Sequence, residues 1–577
     1  MILQALTGYY RRMAEDTATG IATEGFERKE IPFVIILDRK GRFVGLQDTR
    51  LGEGEKKSGG LYTVPKGVKK TSGISANLLW DSTPYVLGLP RPSLKKGADR
   101  QAKRAKEQQQ CFISLIRKQF AGLVIDEGIQ AVLAFLEQGD FQGLFSHPAW
   151  DEIEKSSPNL TFRLDTDSCL ICQRPAVIAS ITAAAGPEDG SEESQGCLVT
   201  GEMDTPTRLH TSIKGVWGAQ SSGANIVSFN HDAFRWFGKE QGLNAPVGKR
   251  AEFAYTTALN SLLSKNSLQR MQVGDASTIF WAERKSRLED IFADLFKEST
   301  DPGIDIDALS DSSAPGISAL SEDVTPFFVL GLAPNAGRIA VRLWYLDTVA
   351  NIVRHIKEHF DDCNIVHGPN QPAHLSLFQL LIAMASQGKS ENIPPDLATG
   401  LMKAIISGTS YPRSLLATVI RRCRADSEIT YPHAAIIKAV LRREARVDES
   451  GMEIAVALDV TDRTPGYLLG RLFSVLERAE KSAIPGLNHS IRERYLGIAS
   501  STPSAVFHHL MKLKNYHLIM MENKGQATNL DKLISQIIYG LKDFPAQLSL
   551  QDQARFAVGY YQQRQSFYAK REQSRSD

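Results

Sequence analysis

From roughly Leu375 to the C-terminus the sequence carries helical patterning and nothing else. In YLLGRLFSVLERAEKS, the residues Leu468, Leu469, Leu472, Phe473, Val475, Leu476 and Ala479 form one apolar stripe at helical spacing. A stripe of that kind must be buried against other helices, so this part of the chain folds as a packed bundle. The N-terminal part reads differently. Between Glu30 and Thr49, IPFVIILD and RFVGLQD flank the turn Arg39-Lys40-Gly41 and predict a hairpin. TPFFVLGLAPNAGRIAVRLWYLDTV predicts a buried strand, a turn and a second strand, with VANIVRHIKEHFDDC as the helix that follows. The expected fold class is α+β: a mixed N-terminal α/β region with irregular loops over 1–345, a helical connecting region over 346–450 and a C-terminal helical bundle over 451–577. No fixed-period repeat is present, which argues against a solenoid.

Other segments are read more coarsely. MILQALTGYYRRMAED predicts a short amphipathic helix, without the continuous apolar core of a signal peptide. The stretch LGEGEKKSGGLYTVPKGVKKTSG is expected to be a loop, because Pro65 and its glycines disfavour regular structure. ISANLLWDSTPYVLGL predicts a short strand or turn anchored by Trp80 and Tyr85. Pro92 to Gly139 predicts a long helical region, and Leu160 to Thr200 strand-like pieces around the acidic loop GPEDGSEESQG. Tyr255 to Lys297 predicts helix, and STDPGIDIDALSDSSAPGISALSED a linker.

Composition excludes more than it assigns. With 67 Lys+Arg against 65 Asp+Glu the net charge is +2, so any nucleic-acid signal must be local. No run of about 18 apolar residues predicts a membrane span. Six scattered cysteines do not make a disulfide framework. The expectation is a cytoplasmic protein that does not meet a membrane.

Between Ile213 and Asn260, glycines alternate with small polar side chains and aromatic rings. Glycine lets a backbone come close to a ligand. Gln220, Ser221, Ser222, Asn225, Ser228, Asn230 and Asn244 supply neutral donors and acceptors. No GxxxxGK[ST] occurs, so phosphate hydrolysis has no motif. Paired amide edges suit bases, but they also cap turns.

Catalytic and metal chemistry find little support. Cys169 and Cys172 form a CxxC, with Cys197 and His210 downstream in reach of a tetrahedral zinc site. There is no second CxxC, and buried thiols are the favoured reading. His231-Asp232 is a lone dipeptide, and neither HExxH nor GxSxG occurs. The expectation is therefore no catalytic residue, no metal and no cofactor. Basic clusters lie at Lys56–Lys70, at Lys95–Lys106 and at Arg413–Arg446. Each is either a solvated face or a track for a phosphate backbone.

Several separate motifs, in one order, resemble the large subunit of the type I-C CRISPR surveillance complex (Cascade). They are MILQALTGYYRRM, TSGISANLLWDSTPYVLG, CLVTGE with LHTSIKGV, GAQSSGANIVSFN, GKEQGLNAPV with AYTTALN, and FFVLGLAPNAGRIAVRLW. The resemblance is specific from residue 1 to about 345 and one of character beyond. It implies a subunit that reads the protospacer-adjacent motif on double-stranded DNA, helps open the duplex and helps recruit a helicase-nuclease. It also implies partners: guide RNA, backbone subunits, and a small-subunit-like helical protein that the C-terminal segment resembles and that can start internally, here at Met452. On that reading Lys66, Lys69, Lys70, Ser72 and Asn77 touch the motif duplex. Gln220, Ser221, Ser222, Asn225, Ser228 and Asn230 read or split it, and Lys214 steadies a phosphate. Arg421, Arg422, Arg442, Lys512 and Lys514 track the displaced strand. The rival readings are a nucleic-acid-processing enzyme with an unrecognised site and a scaffold that binds only protein.

Overall fold

The structure is a computed structural model and describes residues 1–16, 19, 21–51, 58–68, 70, 73–90, 98–121, 126–185, 194–294, 296, 320, 322–447 and 454–576. The fold is α+β. Its contacts separate two units, one of residues 1–212 with 227–261 and one of residues 213–226 with 262–577.

In the first unit the strands are β1 (Phe26–Ile31), β2 (Phe33–Leu37), β3 (Phe43–Asp48), β4 (Gly60–Pro65), β5 (Trp80–Ser82) and β6 (Asn159–Leu164). They make a four-stranded sheet in the order β3-β2-β6-β5 and a separate β1-β4 pair. The β2–β3 hairpin turns where Asp38 accepts the amides of Lys40 and Arg42 and where Gly41 takes φ +77°. That dihedral favours glycine. The β2–β6 pairing is parallel, and β2 reads as a nearly continuous apolar run because it lies inside the sheet. Phe112 of the helix Ala98–Gln119 and Phe135 of the helix Glu127–Gln138 both reach Phe162 on β6, at 6.5 and 6.3 Å between ring centres. The second helix starts where Asp126 accepts the amides of Gly128 and Ile129, and stops at Gly139 with φ +64°. The strands β7 (Gln195–Gly196) and β8 (Met203–Asp204) form a short antiparallel pair.

In the second unit β9 (Arg270–Val273), β10 (Ala276–Ala282), β11 (Pro326–Asn335) and β12 (Arg338–Thr348) form an antiparallel sheet in the order β12-β11-β10-β9. Helices follow to the end of the described chain. One apolar core runs from Met271 to Tyr561, across both expected boundaries at 345/346 and 450/451. The helix Pro465–Ala483 is buried along nearly its whole length, so its apolar stripe is covered on more than one side. Its partner Leu550–Ser576 comes close enough that a Cβ at Gly470 would stand on the Phe556 carbonyl oxygen, and one at Gly466 on that of Asp552. Two polar pairs cross this packing: Tyr560 donates to Glu477 at 2.6 Å, and Arg471 to Gln563 at 3.1 Å.

Three sequence expectations are corrected. Residues 60–65 are strand β4 rather than loop, because Leu61–Val64 pair with β1 and Pro65 falls at the strand end. Residues 270–282 are two strands rather than helix, joined by a two-residue Gly274-Asp275 turn with Gly274 at φ +60°. Pro175–Ala185, read among strand-like pieces, is a helix opened by proline. The start at Met452, most of the acidic loop and most of the linker lie outside the described residues.

Candidate nucleic-acid interface

In the second unit, Ile213–Ile226 forms a loop closed by two hydrogen bonds between Ile213 and Ala224, at 2.8 and 2.9 Å. Ile213, Val216 and Ala224 are buried and tether the loop. Gly215, at φ +88°, passes so near Leu263 that a Cβ would stand on its carbonyl oxygen. The Trp217 amide donates to Ser277 Oγ at 2.9 Å, fixing the loop to β10. Asn225 then runs alongside the start of β12: its amide donates to the Gly337 carbonyl at 3.3 Å, and its carbonyl accepts from Ile339 at 2.9 Å. The side chains left at the surface are Lys214, Trp217, Gln220, Ser221 and Ser222. Buried apolar residues and backbone bonds therefore hold a rigid platform, and the hydrogen-bonding side chains face outward. Ser228 and Asn230 belong to the other unit, so the stretch that looks continuous in sequence is divided.

In the first unit, two basic segments that are distant in sequence meet around a cleft of about 430 Å³. Lys70 and Tyr85 line it from one side of the chain, and Gln101, Arg104 and Gln108 from one face of the helix Ala98–Gln119. Lys70 sits 3.6 Å over the Tyr85 ring and bonds the buried Asp81 carboxylate at 2.6 Å, so its charge is partly committed. Asp81 also accepts the Asn77 amide at 2.9 Å. Asn77 itself is buried, and its side-chain oxygen accepts the Val68 amide at 3.0 Å. Lys66 lies 3.5 Å from Glu252. Lys69 and Ser72 lie outside the described residues. Arg104 falls in the basic cluster Lys95–Lys106, whereas Gln101 and Gln108 carry no charge to mark them; the i, i+3, i+7 spacing of the three on one helix face is the signal that joins them.

The helical residues divide sharply. Arg421 and Lys512 are exposed. Arg422 is held by Asp426, and Lys514 by Asp531 at 2.8 Å. Arg442 donates to the Asp361 carbonyl at 2.8 Å and approaches Asp362 at 3.7 Å. Asp362 is buried and also receives Arg443 and Arg446, while the buried Lys438 bonds its carbonyl at 3.2 Å.

Several groups with metal or nucleophilic potential are buried or engaged locally. Burial pushes the thiols of Cys172, Cys363 and Cys423 up to about 12, well above the range of a nucleophilic thiolate. Cys197 Sγ accepts the amides of Gly248 and Val199. His210 meets the Tyr255 hydroxyl at 2.5 Å, and burial lowers its pKa. Asp232 pairs with Arg235 at 3.2 Å. Among the described residues no group of three or more His, Cys, Asp or Glu is disposed to hold a metal ion. No helix among them is long and apolar enough to cross a membrane.

The family model described as CRISPR-associated protein (Cas_Csd1) matches residues 6–568, and the chain belongs to that family. No curated protein matches it.

Proposed function

Starting from that family membership, we propose that the chain is the non-catalytic large subunit of a type I-C CRISPR RNA-guided surveillance complex. It recognises the protospacer-adjacent motif in double-stranded DNA, helps open the duplex for R-loop formation and helps recruit a helicase-nuclease. Guide RNA, backbone subunits and a small-subunit-like helical protein are its other partners, and it works without cofactor or metal. The observation that carries this reading is the tethered loop Ile213–Ile226, which presents Gln220, Ser221 and Ser222 outward from a fixed backbone. Neutral amide and hydroxyl groups suit base edges, whereas the cations Lys214 and Arg104 suit phosphates. Guide pairing reads the long target, so the protein needs to read only a short flank; this division of labour is drawn by analogy with another RNA-guided effector.

The test is a gel shift of the full chain, alone and in its complex, on duplexes with and without candidate flanking motifs at two salt concentrations. Motif-dependent retention is expected, with affinity falling steeply as salt rises. Retention of protein subunits but of no DNA would make the chain a scaffold. Magnesium-dependent cleavage of labelled DNA by the purified chain would make it an enzyme.

A further inference from the structure

We propose that Trp217 is a base-stacking residue that takes one unpaired nucleobase on the face of its indole, next to the hydrogen-bonding tip of the same loop. This rests on the reading of Ile213–Ile226 as a nucleic-acid interface and adds to it a residue and a ligand class.

Four observations carry it. Trp217 is 67 % exposed, whereas the other anchoring apolar residues of its loop, Ile213, Val216 and Ala224, are at most 5 % exposed. The indole is therefore not what packs the loop down. Its backbone is nevertheless fixed: the amide is bonded to Ser277 Oγ, and Ser277 is fully buried. The next residue, Gly218, turns the chain at φ +74° over Pro334. A ring held out from a fixed backbone loses little freedom on binding, which favours affinity.

The third observation is charge. Ile213–Ile226 contains no Asp or Glu and carries Lys214, and the adjoining turn Asn335–Arg338 has no carboxylate either and carries Arg338. The carboxylate of the β9–β10 turn, Asp275, is held by Arg342 at 3.1 Å. A phosphate backbone meets no repulsion on this loop. The fourth is a contrast within the chain. Trp236 and Phe237 are also exposed, at 70 % and 87 %. Their turn carries Asp232 and Glu240, both drawn to Arg235, so it has no excess of positive charge to offer a strand. Exposed indole, neutral donors and a loop without carboxylates coincide at Trp217.

Stacking on an aromatic ring tolerates every base, since each has a π-face, while the neighbouring amides and hydroxyls supply any preference. A stacked base must first leave its pair. Trp217 would thus hold a strand after opening rather than read a closed duplex.

The experiment uses the full chain with 2-aminopurine placed along a single strand, in one arm DNA and in the other RNA of the same sequence. Binding is expected to change the probe's fluorescence at one position. Trp217→Ala should abolish that change and weaken binding about tenfold. Trp217→Phe should keep most of both, and Trp217→Leu, apolar but without a ring, should lose the change. Lys214→Gln should flatten the salt dependence and leave the probe signal. A signal in the DNA arm assigns the base to target DNA, and one confined to the RNA arm assigns it to the guide. Unchanged probe signal and affinity in Trp217→Ala would overturn the stacking role while leaving the interface in place. Failure of the unaltered chain to bind any strand or duplex would overturn the interface and this inference together.

Discussion

Two regions of the second unit look equally suited to nucleic acid in sequence, and the fold treats them in opposite ways. The segment Arg413–Arg446 holds seven arginines, all on the helices Arg413–Ala425 and Tyr431–Val447. The loop Ile213–Ile226 holds a single cation. Yet several of the arginines are held by carboxylates of the fold, while Arg413 and Arg421 stay exposed. Arg442, Arg443 and Arg446 converge on Asp362, and Arg422 on Asp426. The loop does the reverse, burying its aliphatic residues and leaving its polar ones to solvent. A density of charge in sequence records where ions are, while burial and internal partners decide whether a ligand can use them.

The largest expected effect tests the inward-facing side of this contrast. Asp362→Ala leaves three arginines around an absent carboxylate, while Lys438 keeps its bond to the backbone carbonyl there. Breaking a buried pair from one side costs about 3–5 kcal/mol. Chemical denaturation should report a loss of that order, and a loss below about 1 kcal/mol would mean that the arginines are not committed there.

The same region should respond to acid. His359 is buried against the Tyr411 hydroxyl at 2.7 Å. Burial, and then the charge of Arg443, lower its pKa to about 3. The unfolded chain takes up this proton near pH 6.5, before the folded one does. Stability is therefore full above about pH 6.5 and falls as pH drops toward 3, by up to about 1.4 kcal/mol per pH unit from this group. His359→Gln should reduce the slope in that window. Burial also lowers His433 and His210, so some slope should persist. An unchanged slope would show that His359 is already charged in the folded state.

The loop side is tested by Gly215→Ala. Its φ of +88° costs an L-residue about 1–2 kcal/mol, and the new Cβ meets the Leu263 carbonyl. The expected result is a modest fall in thermal stability and a larger loss of DNA binding, because the platform shifts. Equal losses in both would argue that the loop only packs.

The smallest effects separate the exposed from the committed arginines. Arg421→Ala should change stability by less than about 0.5 kcal/mol. Arg422→Ala, which frees Asp426, should cost up to about 1 kcal/mol by denaturation and alter DNA affinity little. A large loss of affinity for Arg422→Ala would mean that the ion pair opens for a strand.

What could be read from the sequence follows from how local the cause is. The β2–β3 and β11–β12 hairpins and the helix Val349–Cys363 were legible because turn residues and apolar periodicity sit within a few positions of each other. Strand β4 was not, since its order comes from pairing with β1, more than thirty residues earlier in the chain. The strands β9 and β10 each span only a few residues, and the helical patterning on either side masks the short Gly274-Asp275 turn between them. At the interface, Gln220, Ser221 and Ser222 were visible by residue type. That Asn77 is buried, that Lys70 is bound to Asp81, and that Arg104 faces the same cleft depends on tertiary packing, which spacing along the chain does not contain.

The most direct test of the account is the affinity of the assembled complex for target duplexes with and without the flanking motif, before and after Gln220, Ser221 and Ser222 are changed together to Ala. Each base contact contributes about 1–3 kcal/mol. The substituted complex is expected to lose its preference for the motif while still pairing its guide with single-stranded target. A substituted complex that keeps the same preference would contradict it.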